Sequence, residues 1–264
     1  MKPVFTFKRG STPLIVSIPH AGTLLPGSVN DRLTPRARRL PDTDWYVDQL
    51  FQWVVEKGGS LLIANYSRYV VDLNRPPDDA PLYAGAGSTL LPEQAFDGIS
   101  LYKKGMQPDK DEKQERLQQF WKPYHEKLGA ELTALKHRFG HAVVLDAHSI
   151  LSRVPSLFDG RLPDLNLGSY RGASADPGLI SASVAALKEA TNFSVILDGR
   201  FQGGYITRNY GCPDSAIHAL QLEMAQSTYM SEETPCFDSK RAAGLSKVLQ
   251  NLVDTLIRWA PVDA

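Results

Sequence analysis

One short segment combines an apolar run with groups capable of acid–base or metal chemistry. Residues 143–149 read VVLDAHS, so Asp146 and His148 follow an aliphatic run and are two positions apart. Successive side chains of a strand point to opposite faces, and residues i and i+2 therefore share one face. The segment predicts a buried strand that ends in a carboxylate and an imidazole pointing the same way.

Other residues of metal-ligating type lie at the ends of further predicted elements. His20 comes directly after the apolar run 14–19, while Asp42 and Asp44 precede a segment with helical spacing. Two imidazoles and a carboxylate on rigid elements suit a catalytic zinc ion, which keeps one position for water and lowers the pKa of that water toward about 7. Under this hypothesis Asp146 orients a ligand histidine or a neighbouring basic group.

Each of these residues also has an ordinary structural interpretation. A single histidine at a strand end is usually a hydrogen-bonded polar residue, and Asp44 alone is typical of a helix N-cap, as is Thr43. The metal hypothesis therefore depends on His20, His148 and one of the two aspartates lying together.

Glu223 lies near the carboxyl end of another predicted strand, 216–224, among aliphatic residues and Met224. Burial of a carboxylate there costs free energy unless the group is paired or used. Beside a metal site, Glu223 would act as a general base that takes a proton from water and returns it to a leaving amine. The alternative is a structural ion pair with a nearby arginine.

Three arginines lie in loops rich in glycine or proline. They are Arg75 in DLNRPPDD, Arg171 in LGSYRGAS and Arg208 in GGYITRNYG. A guanidinium group matches a carboxylate bidentately, so a cluster of arginines near a metal predicts a small acidic substrate. Taken singly, each is an ordinary solvated loop arginine.

The elements that must position these residues alternate between strands and helices. Apolar runs predict strands at 14–19, 60–64, 69–73, 143–149, 194–197 and 216–224. Helical spacing predicts helices at 45–57, at 110–139 with a kink or break at Pro123, from the Asp176 N-cap to about 190, and at 239–259. This alternation predicts an α/β fold with a largely parallel sheet and helices on both faces, whose reactive groups lie beyond the carboxyl ends of the strands.

The composition excludes several classes of protein. The 264 residues include 29 Lys and Arg against 29 Asp and Glu, and no basic run predicts a nucleic-acid partner. No apolar stretch could span a bilayer and no signal-peptide pattern opens the chain, which predicts a cytoplasmic protein without membrane contact. Cys212 and Cys236 fit no disulfide framework and are predicted to be free thiols. We predict one domain over 1–264, of unspecified oligomeric state.

Several longer motifs occur in a fixed order along the chain. They are IPHAG (18–22), DTDW (42–45), SRYVVDLNRP (67–76), LDAHS (145–149), FDGRLPDLNLG (158–168), GGYITRNYG (203–211) and QLEMAQSTYM (221–230). Together they resemble the N-formylglutamate amidohydrolase (deformylase) family, over a span from about Phe7 to Met230. The resemblance implies a three-layer α/β/α fold with a mixed, largely parallel central sheet, similar to zinc carboxypeptidases and aspartoacylase. It also implies zinc-dependent hydrolysis of N-formyl-L-glutamate, a dicarboxylate, to formate and L-glutamate in histidine degradation.

The resemblance further implies roles for single residues. His20 and His148 match the two ligand histidines, and Glu223 matches the general base. In the carboxypeptidase-type relatives the acidic ligand comes from a His-x-x-Glu pattern, but position 23 is Thr here. The DTDW motif is then the best source of the carboxylate, and we choose Asp44 over Asp42.

Substrate-binding residues and the metal follow from the same resemblance. Asn74 and Arg75 resemble the pair that holds a substrate carboxylate in carboxypeptidases. Arg171 and Arg208 are left for the second carboxylate or for the formyl oxygen, in no fixed order. Zinc is the implied cofactor, at one ion per chain, and cobalt or manganese can share such ligands.

Two rival functions fit parts of this pattern. One is a zinc-dependent deacylase of another N-acyl acidic amino acid, such as N-acetylaspartate. The other is a non-catalytic binder of an acidic metabolite, which would need the arginines but neither the metal nor Glu223. The Pro-, Gly- and Asp-rich excursion at 76–108, with Tyr83 and Tyr102, is predicted to act as a lid.

Overall fold

A computed structural model of the chain describes residues 2–82, 89–189 and 192–261. Within these residues, seven strands form the main sheet and two short strands form a separate hairpin. The strands are β1 (Phe5–Lys8), β2 (Leu14–Ile18), β3 (Ser60–Ala64), β4 (Ala142–Ile150), β5 (Leu165–Gly168), β6 (Val195–Leu197), β7 (Ile217–Ala225), β8 (Met230–Ser231) and β9 (Cys236–Phe237). The strands predicted at 14–19, 60–64, 143–149, 194–197 and 216–224 are confirmed, whereas β1, β5, β8 and β9 are additional.

The strand order of the main sheet is β1-β3-β2-β4-β7-β5-β6. The four central strands β3, β2, β4 and β7 are parallel, while β1 runs antiparallel to β3 and β5 antiparallel to β7. The sheet is therefore mixed and largely parallel, as predicted. Because β2, β4 and β7 are parallel neighbours, their carboxyl ends meet at one edge of the sheet.

Helices cover the sheet on both faces. They are α1 (Gly27–Asn30), α2 (Val47–Phe51), α3 (Lys110–Arg116), α4 (Lys122–Phe139), α5 (Pro177–Lys188), α6 (Tyr205–Tyr210) and α7 (Ser239–Arg258). Along β4, Val143, Leu145 and Ala147 pack in the apolar cluster with α2, α5 and α7, whereas Ala142 and Val144 pack in the cluster with α4 and α6. This alternation produces the three layers, since both faces of a parallel sheet must be covered.

Helix boundaries follow the sequence signals in two of three cases. The Asp176 side chain accepts hydrogen bonds from Gly178 N and Leu179 N, so the predicted N-cap is confirmed. The predicted division of 110–139 is also confirmed, because a π-helical turn at Leu117–Trp121 separates α3 from α4 and Pro123 lies in the first turn of α4. The caps predicted at Thr43 and Asp44 are wrong: α2 begins only at Val47, after Tyr46 at φ 63°.

The strand predicted at 69–73 is also wrong. These residues form turns, with Val70 N donating to Ser67 O and Arg75 N donating to Asp72 O. The aliphatic residues are buried, so the hydrophobic signal was correct, but the Asp72 carboxylate is occupied by side-chain partners in the interior rather than by solvent. The apolar side chains of 69–73 are buried although the segment pairs with none of the strands described above, which explains why the apolar run led to a wrong strand prediction.

The excursion after Pro76 is packed where the structure describes it. Tyr102 is buried with Tyr69 and Leu101, and its hydroxyl accepts a hydrogen bond from Arg116 Nη1. Tyr83, the other residue assigned to a lid, lies outside the described residues. Both cysteines are free, as predicted, and both are exposed. Within the described ranges, no helix has the length and apolarity needed to cross a membrane.

Candidate active site

His20, Asp44 and His148 converge beyond the carboxyl ends of β2 and β4, and all three are buried. His148 Nδ1 lies 3.2 Å from both His20 Nδ1 and Asp44 Oδ2, and His20 Nδ1 lies 3.9 Å from Asp44 Oδ2. A tetrahedral ion with bonds of about 2.0–2.1 Å holds its ligand atoms roughly 3.3 Å apart. Two of the three separations match this value and the third is longer, so these residues could hold a small divalent cation.

The remote nitrogens of both histidines are held by buried carboxylates. His20 Nε2 lies 2.8 Å from Asp72 Oδ1, and His148 Nε2 lies 2.6 Å from Asp146 Oδ2. A proton on each Nε2 satisfies these contacts and leaves the Nδ1 lone pairs to face one another and Asp44. Carboxylates in this position fix the tautomer and orientation of a ligand histidine.

Asp146 is itself fixed by a set of buried polar groups. Ser17 Oγ donates to Asp146 Oδ1 at 2.9 Å and lies 3.0 Å from the Tyr124 hydroxyl. Asn74 Nδ2 donates to Asp146 Oδ2 at 3.1 Å. The alternation of β2 turns Ser17 toward α4, on the face opposite to Val16 and Ile18, so that the hydroxyl reaches the neighbouring strand.

The two histidines have opposite shifts in pKa. Burial, together with the charge of Arg68, lowers the pKa of His20 below its ordinary value. Burial also acts to lower the pKa of His148, but Asp146 and Asp44 outweigh it, and the net pKa lies well above the ordinary value.

The two aspartates of the DTDW motif have different surroundings. Asp44 Oδ2 accepts a hydrogen bond from Ser149 N at 3.2 Å and faces the histidines. Asp42 instead accepts from the Tyr69 hydroxyl at 2.8 Å and from Phe96 N at 3.0 Å, and burial raises the pKa of Asp42. The carboxylate that joins the cluster is thus that of Asp44.

Glu223 lies directly across the strand pair from His148, because these two residues are register partners in β4 and β7. It is buried, and Gln221 Nε2 donates to Glu223 Oε2 at 3.3 Å. Burial raises the pKa of Glu223 to about 8, against the opposing effect of His148. A carboxyl group with such a pKa can both take up and release a proton near neutral pH.

One cavity contains the cluster, Glu223 and three arginines. The arginines that line it are Arg68, Arg75 and Arg200, and its apolar wall includes Leu157 and Phe201. Arg68 is buried, and its Nη2 donates to Asp72 Oδ2 at 2.7 Å. The cavity therefore combines the cluster with three guanidinium groups, which suit an anionic ligand.

Three residues assigned to the substrate from the sequence are placed differently. Arg171 is exposed and its Nε donates to Gln202 Oε1, while Arg208 Nη1 donates to Leu82 O, and neither lines the cavity. Asn74 does line it, but its amide is engaged within the fold. Its Oδ1 accepts from Ile206 N at 2.8 Å, and Nδ2 donates to Asp146 and, at 3.4 Å, to Gln221.

Sequence analysis missed Arg68, Asp72 and Arg200 as members of the site. A signal existed for the first two: they are four residues apart within SRYVVDLNRP, and Asp72 Oδ1 accepts from Asn74 N, as in an Asx turn. Arg200 lies in the glycine-rich stretch at 199–211, next to segments that carried the resemblance, and nothing in its local sequence marks it as a cavity residue.

The mixed sheet and the buried His–Asp–His cluster define an α/β protein with a hydrolase-type candidate metal centre. The chain belongs to the N-formylglutamate amidohydrolase family, whose model matches residues 12–230. It is 48% identical over 260 residues to the N-formylglutamate deformylase of Pseudomonas putida, covering 98% of this chain and 97% of that protein. The identity to the Pseudomonas aeruginosa N-formylglutamate deformylase is also 48%, over 98% of both chains.

Solved structures support the same fold. The crystal structure of N-formylglutamate amidohydrolase from Ralstonia eutropha JMP134 is similar with a TM-score of 0.84 at 26% identity, covering 96% of this chain and 98% of that one. A protein from Agrobacterium tumefaciens has a TM-score of 0.74 at 18% identity, covering 96% and 94% of the two chains. The second likeness concerns the fold alone.

Proposed function

We propose that this chain is a metal-dependent amidohydrolase that converts N-formyl-L-glutamate to formate and L-glutamate, as a step of histidine degradation in the cytoplasm. The observation that carries the proposal is a single cavity that holds the His–Asp–His cluster, Glu223 and three arginines. Amide hydrolysis needs an activated water and a proton carrier, and a dicarboxylate needs cationic partners. Family membership supports the choice of substrate.

His20, Asp44 and His148 are the residues that would hold the cation, with Asp72 and Asp146 fixing the two imidazoles. Zinc suits this nitrogen–oxygen ligand set, and cobalt or manganese are the alternatives. When bound, such an ion supplies a Lewis acid that polarises a carbonyl group and makes hydroxide available at neutral pH.

Glu223 is the proposed proton carrier. Its carboxylate takes a proton from the attacking water while the water oxygen bonds to the formyl carbon. It then delivers that proton to the amide nitrogen as the carbon–nitrogen bond breaks, releasing formate and the free amine. The buried position beside His148 keeps bulk water from competing for the proton.

Arg68 is the proposed partner for the negative charge that develops on the formyl oxygen. Its guanidinium lines the cavity, and Asp72 holds it in place through the 2.7 Å contact. A fixed cation in a buried site stabilises developing charge without reorganisation of solvent. The Asp72 carboxylate therefore binds both this guanidinium and the imidazole of His20.

Arg75 is the proposed partner of the substrate's α-carboxylate. It lines the cavity that contains the cluster, and its Nη1 donates to Asn74 O at 2.8 Å. In this proposal Asn74 braces the site rather than binding substrate. The assignments of Arg171 and Arg208 to the substrate stay predictions, with no contact to the cavity in their favour.

The test is formate release from N-formyl-L-glutamate by purified protein, before and after chelation and again with zinc added back. We expect release that chelation abolishes and zinc restores. Activity that survives complete removal of metal would contradict the metal-dependent mechanism. A higher kcat/KM for N-acetyl-L-glutamate or N-acetyl-L-aspartate would favour another N-acyl substrate, and binding of these acids without turnover would favour a non-catalytic binder.

A further inference from the structure

The cavity includes a cationic residue to which neither the motifs nor the proposed chemistry gives a role. Arg200 is partly buried and lines the same cavity as His20 and Glu223. Its Nε donates to Leu157 O at 2.8 Å, and its guanidinium carbon lies 5.6 Å from the centre of the Phe201 ring. These contacts attach the guanidinium to the apolar wall of the cavity.

That wall is a packed structure. Phe201 meets Phe158 edge to face with ring centres 6.2 Å apart, and both pack against the buried cluster of Ile150 and its neighbours. Because Nε is used by a main-chain carbonyl of the same wall, the plane of the guanidinium is oriented by the fold. An arginine held in this way loses less side-chain entropy when it binds an anion.

The three arginines of the cavity differ in their relation to the metal cluster. Arg68 donates to Asp72, the carboxylate that holds His20, and Arg75 donates to the main-chain oxygen of Asn74, so both are attached to residues that surround the cluster. Arg200 is attached instead to Leu157 and Phe201. The cavity therefore offers cations at the cluster and one on a separate, apolar wall.

N-Formylglutamate has the matching asymmetry. Its α-carboxylate is attached to the carbon that carries the amide nitrogen, whereas its side-chain carboxylate lies two methylene groups further out. With the formyl group at the cluster, the first carboxylate would stay close to the three converging ligands, in the cavity that Arg75 also lines, and the second could extend further from them. The two methylenes between them suit an apolar wall.

We propose that Arg200 receives the side-chain carboxylate of the substrate and so selects acidic over neutral side chains. The proposal rests on the function proposed above and adds a specificity-determining residue to it. Guanidinium and carboxylate form paired, charge-assisted hydrogen bonds, and a partly buried carboxylate that loses its cation is left desolvated. A neutral side-chain amide of the same shape gains much less from the same arginine.

The experiment compares two substrates of nearly equal shape, N-formyl-L-glutamate and N-formyl-L-glutamine, in the zinc-loaded protein. For Arg200→Met we expect kcat/KM to fall about 100-fold with the glutamate derivative and less than about fivefold with the glutamine derivative. Arg200→Lys keeps the charge without the fork and should show an intermediate, equally selective loss. Arg161→Met, which alters an exposed arginine paired with Asp164, serves as the matched control.

Equal losses on both substrates in Arg200→Met, or no loss on either, would overturn the proposal. A glutamate-selective loss in Arg208→Met or Arg171→Met, with Arg200→Met unchanged, would transfer the role to those residues and overturn it as well. Calorimetric binding of L-glutamate against L-glutamine to wild type and Arg200→Lys provides a second measurement that needs no turnover. Failure of the wild type to hydrolyse either formyl compound would refute the proposed function, while the binding preference would still decide the role of Arg200.

Discussion

His20 Nε2 lies 2.8 Å from Asp72 Oδ1, and Asp72 in turn binds Arg68 through its other oxygen at 2.7 Å. One buried carboxylate thus orients a candidate metal ligand and a candidate cation for the substrate at the same time. Arg68 balances the negative charge of Asp72 at one oxygen, and the other oxygen accepts a hydrogen bond from the His20 imidazole. The pKa of Asp72 accordingly lies well below its ordinary value: Arg68, His20 and Arg75 outweigh the effect of burial.

Asp72→Asn should weaken metal binding, because an amide holds the His20 imidazole less firmly than a carboxylate does. We expect the Kd for zinc, measured by competition with a chromophoric chelator, to rise about 10–100-fold. Asp159→Asn, an exposed aspartate, is the control and should leave the Kd unchanged. If the Asp72 and Asp159 variants bound zinc equally tightly, Asp72 would not be orienting a ligand.

Ser17→Ala should disturb Asp146, the carboxylate that holds the second histidine, His148. It removes the hydroxyl that donates to Asp146 Oδ1 and leaves that buried oxygen unpaired, which costs about 1–3 kcal/mol of unfolding free energy. Tyr124→Phe removes a group one step further from Asp146 and should cost less in zinc affinity than Ser17→Ala. Urea unfolding and chelator competition measure the two effects.

Ser183→Ala is the matched control for Ser17→Ala. Ser183 is also fully buried, but its hydroxyl donates only to a helical carbonyl, Leu179 O. Its loss should cost about 1 kcal/mol or less of stability and should not alter zinc affinity. A change in zinc affinity as large as that of Ser17→Ala would show that the loss of zinc affinity follows from lower overall stability and not from the missing contact to Asp146.

The sequence predicted the parts of this site that lie on regular elements. Period-two alternation placed Asp146 and His148 on one face of a strand, and the ends of β2 and β7 located His20 and Glu223. These inferences succeeded because a buried parallel strand has one geometry and a characteristic apolar run.

The parts on turns could not be predicted in the same way. Residues 69–73 are as apolar as a strand, yet they form turns, and the position of Asp72 depends on contacts with residues distant in sequence. Arg200 is held at the cavity by a hydrogen bond to the carbonyl of Leu157, 43 residues away in the sequence. Nothing in the local sequence distinguishes it from the exposed Arg171. Tertiary contacts, rather than composition, separate a site arginine from a surface one.

Glu223→Gln should abolish most proton transfer while preserving the shape of the site. We expect kcat for formate release to fall about 10²–10⁴-fold, the usual contribution of a general acid–base group. The zinc content and the binding of L-glutamate should stay close to wild type, because Glu223 is not one of the three converging ligands. Near-normal turnover with metal bound would eliminate Glu223 as the base.

The burial of His125 predicts a pH dependence of stability that is independent of the metal site. Burial lowers the pKa of His125 to about 3, and the hydrogen bond from Nε2 to Leu73 O, at 2.9 Å, opposes this effect only in part. In the unfolded chain the pKa is about 6.5, so the unfolded state binds the extra proton between pH 6.5 and 3. Stability is therefore complete above pH 6.5 and falls as the pH drops through this window, by on the order of 4 kcal/mol for this group.

His125→Gln, unfolded in urea with chelator present, should show a shallower loss of unfolding free energy than wild type from pH 7 to 4. An unchanged slope would mean that His125 is not the group responsible.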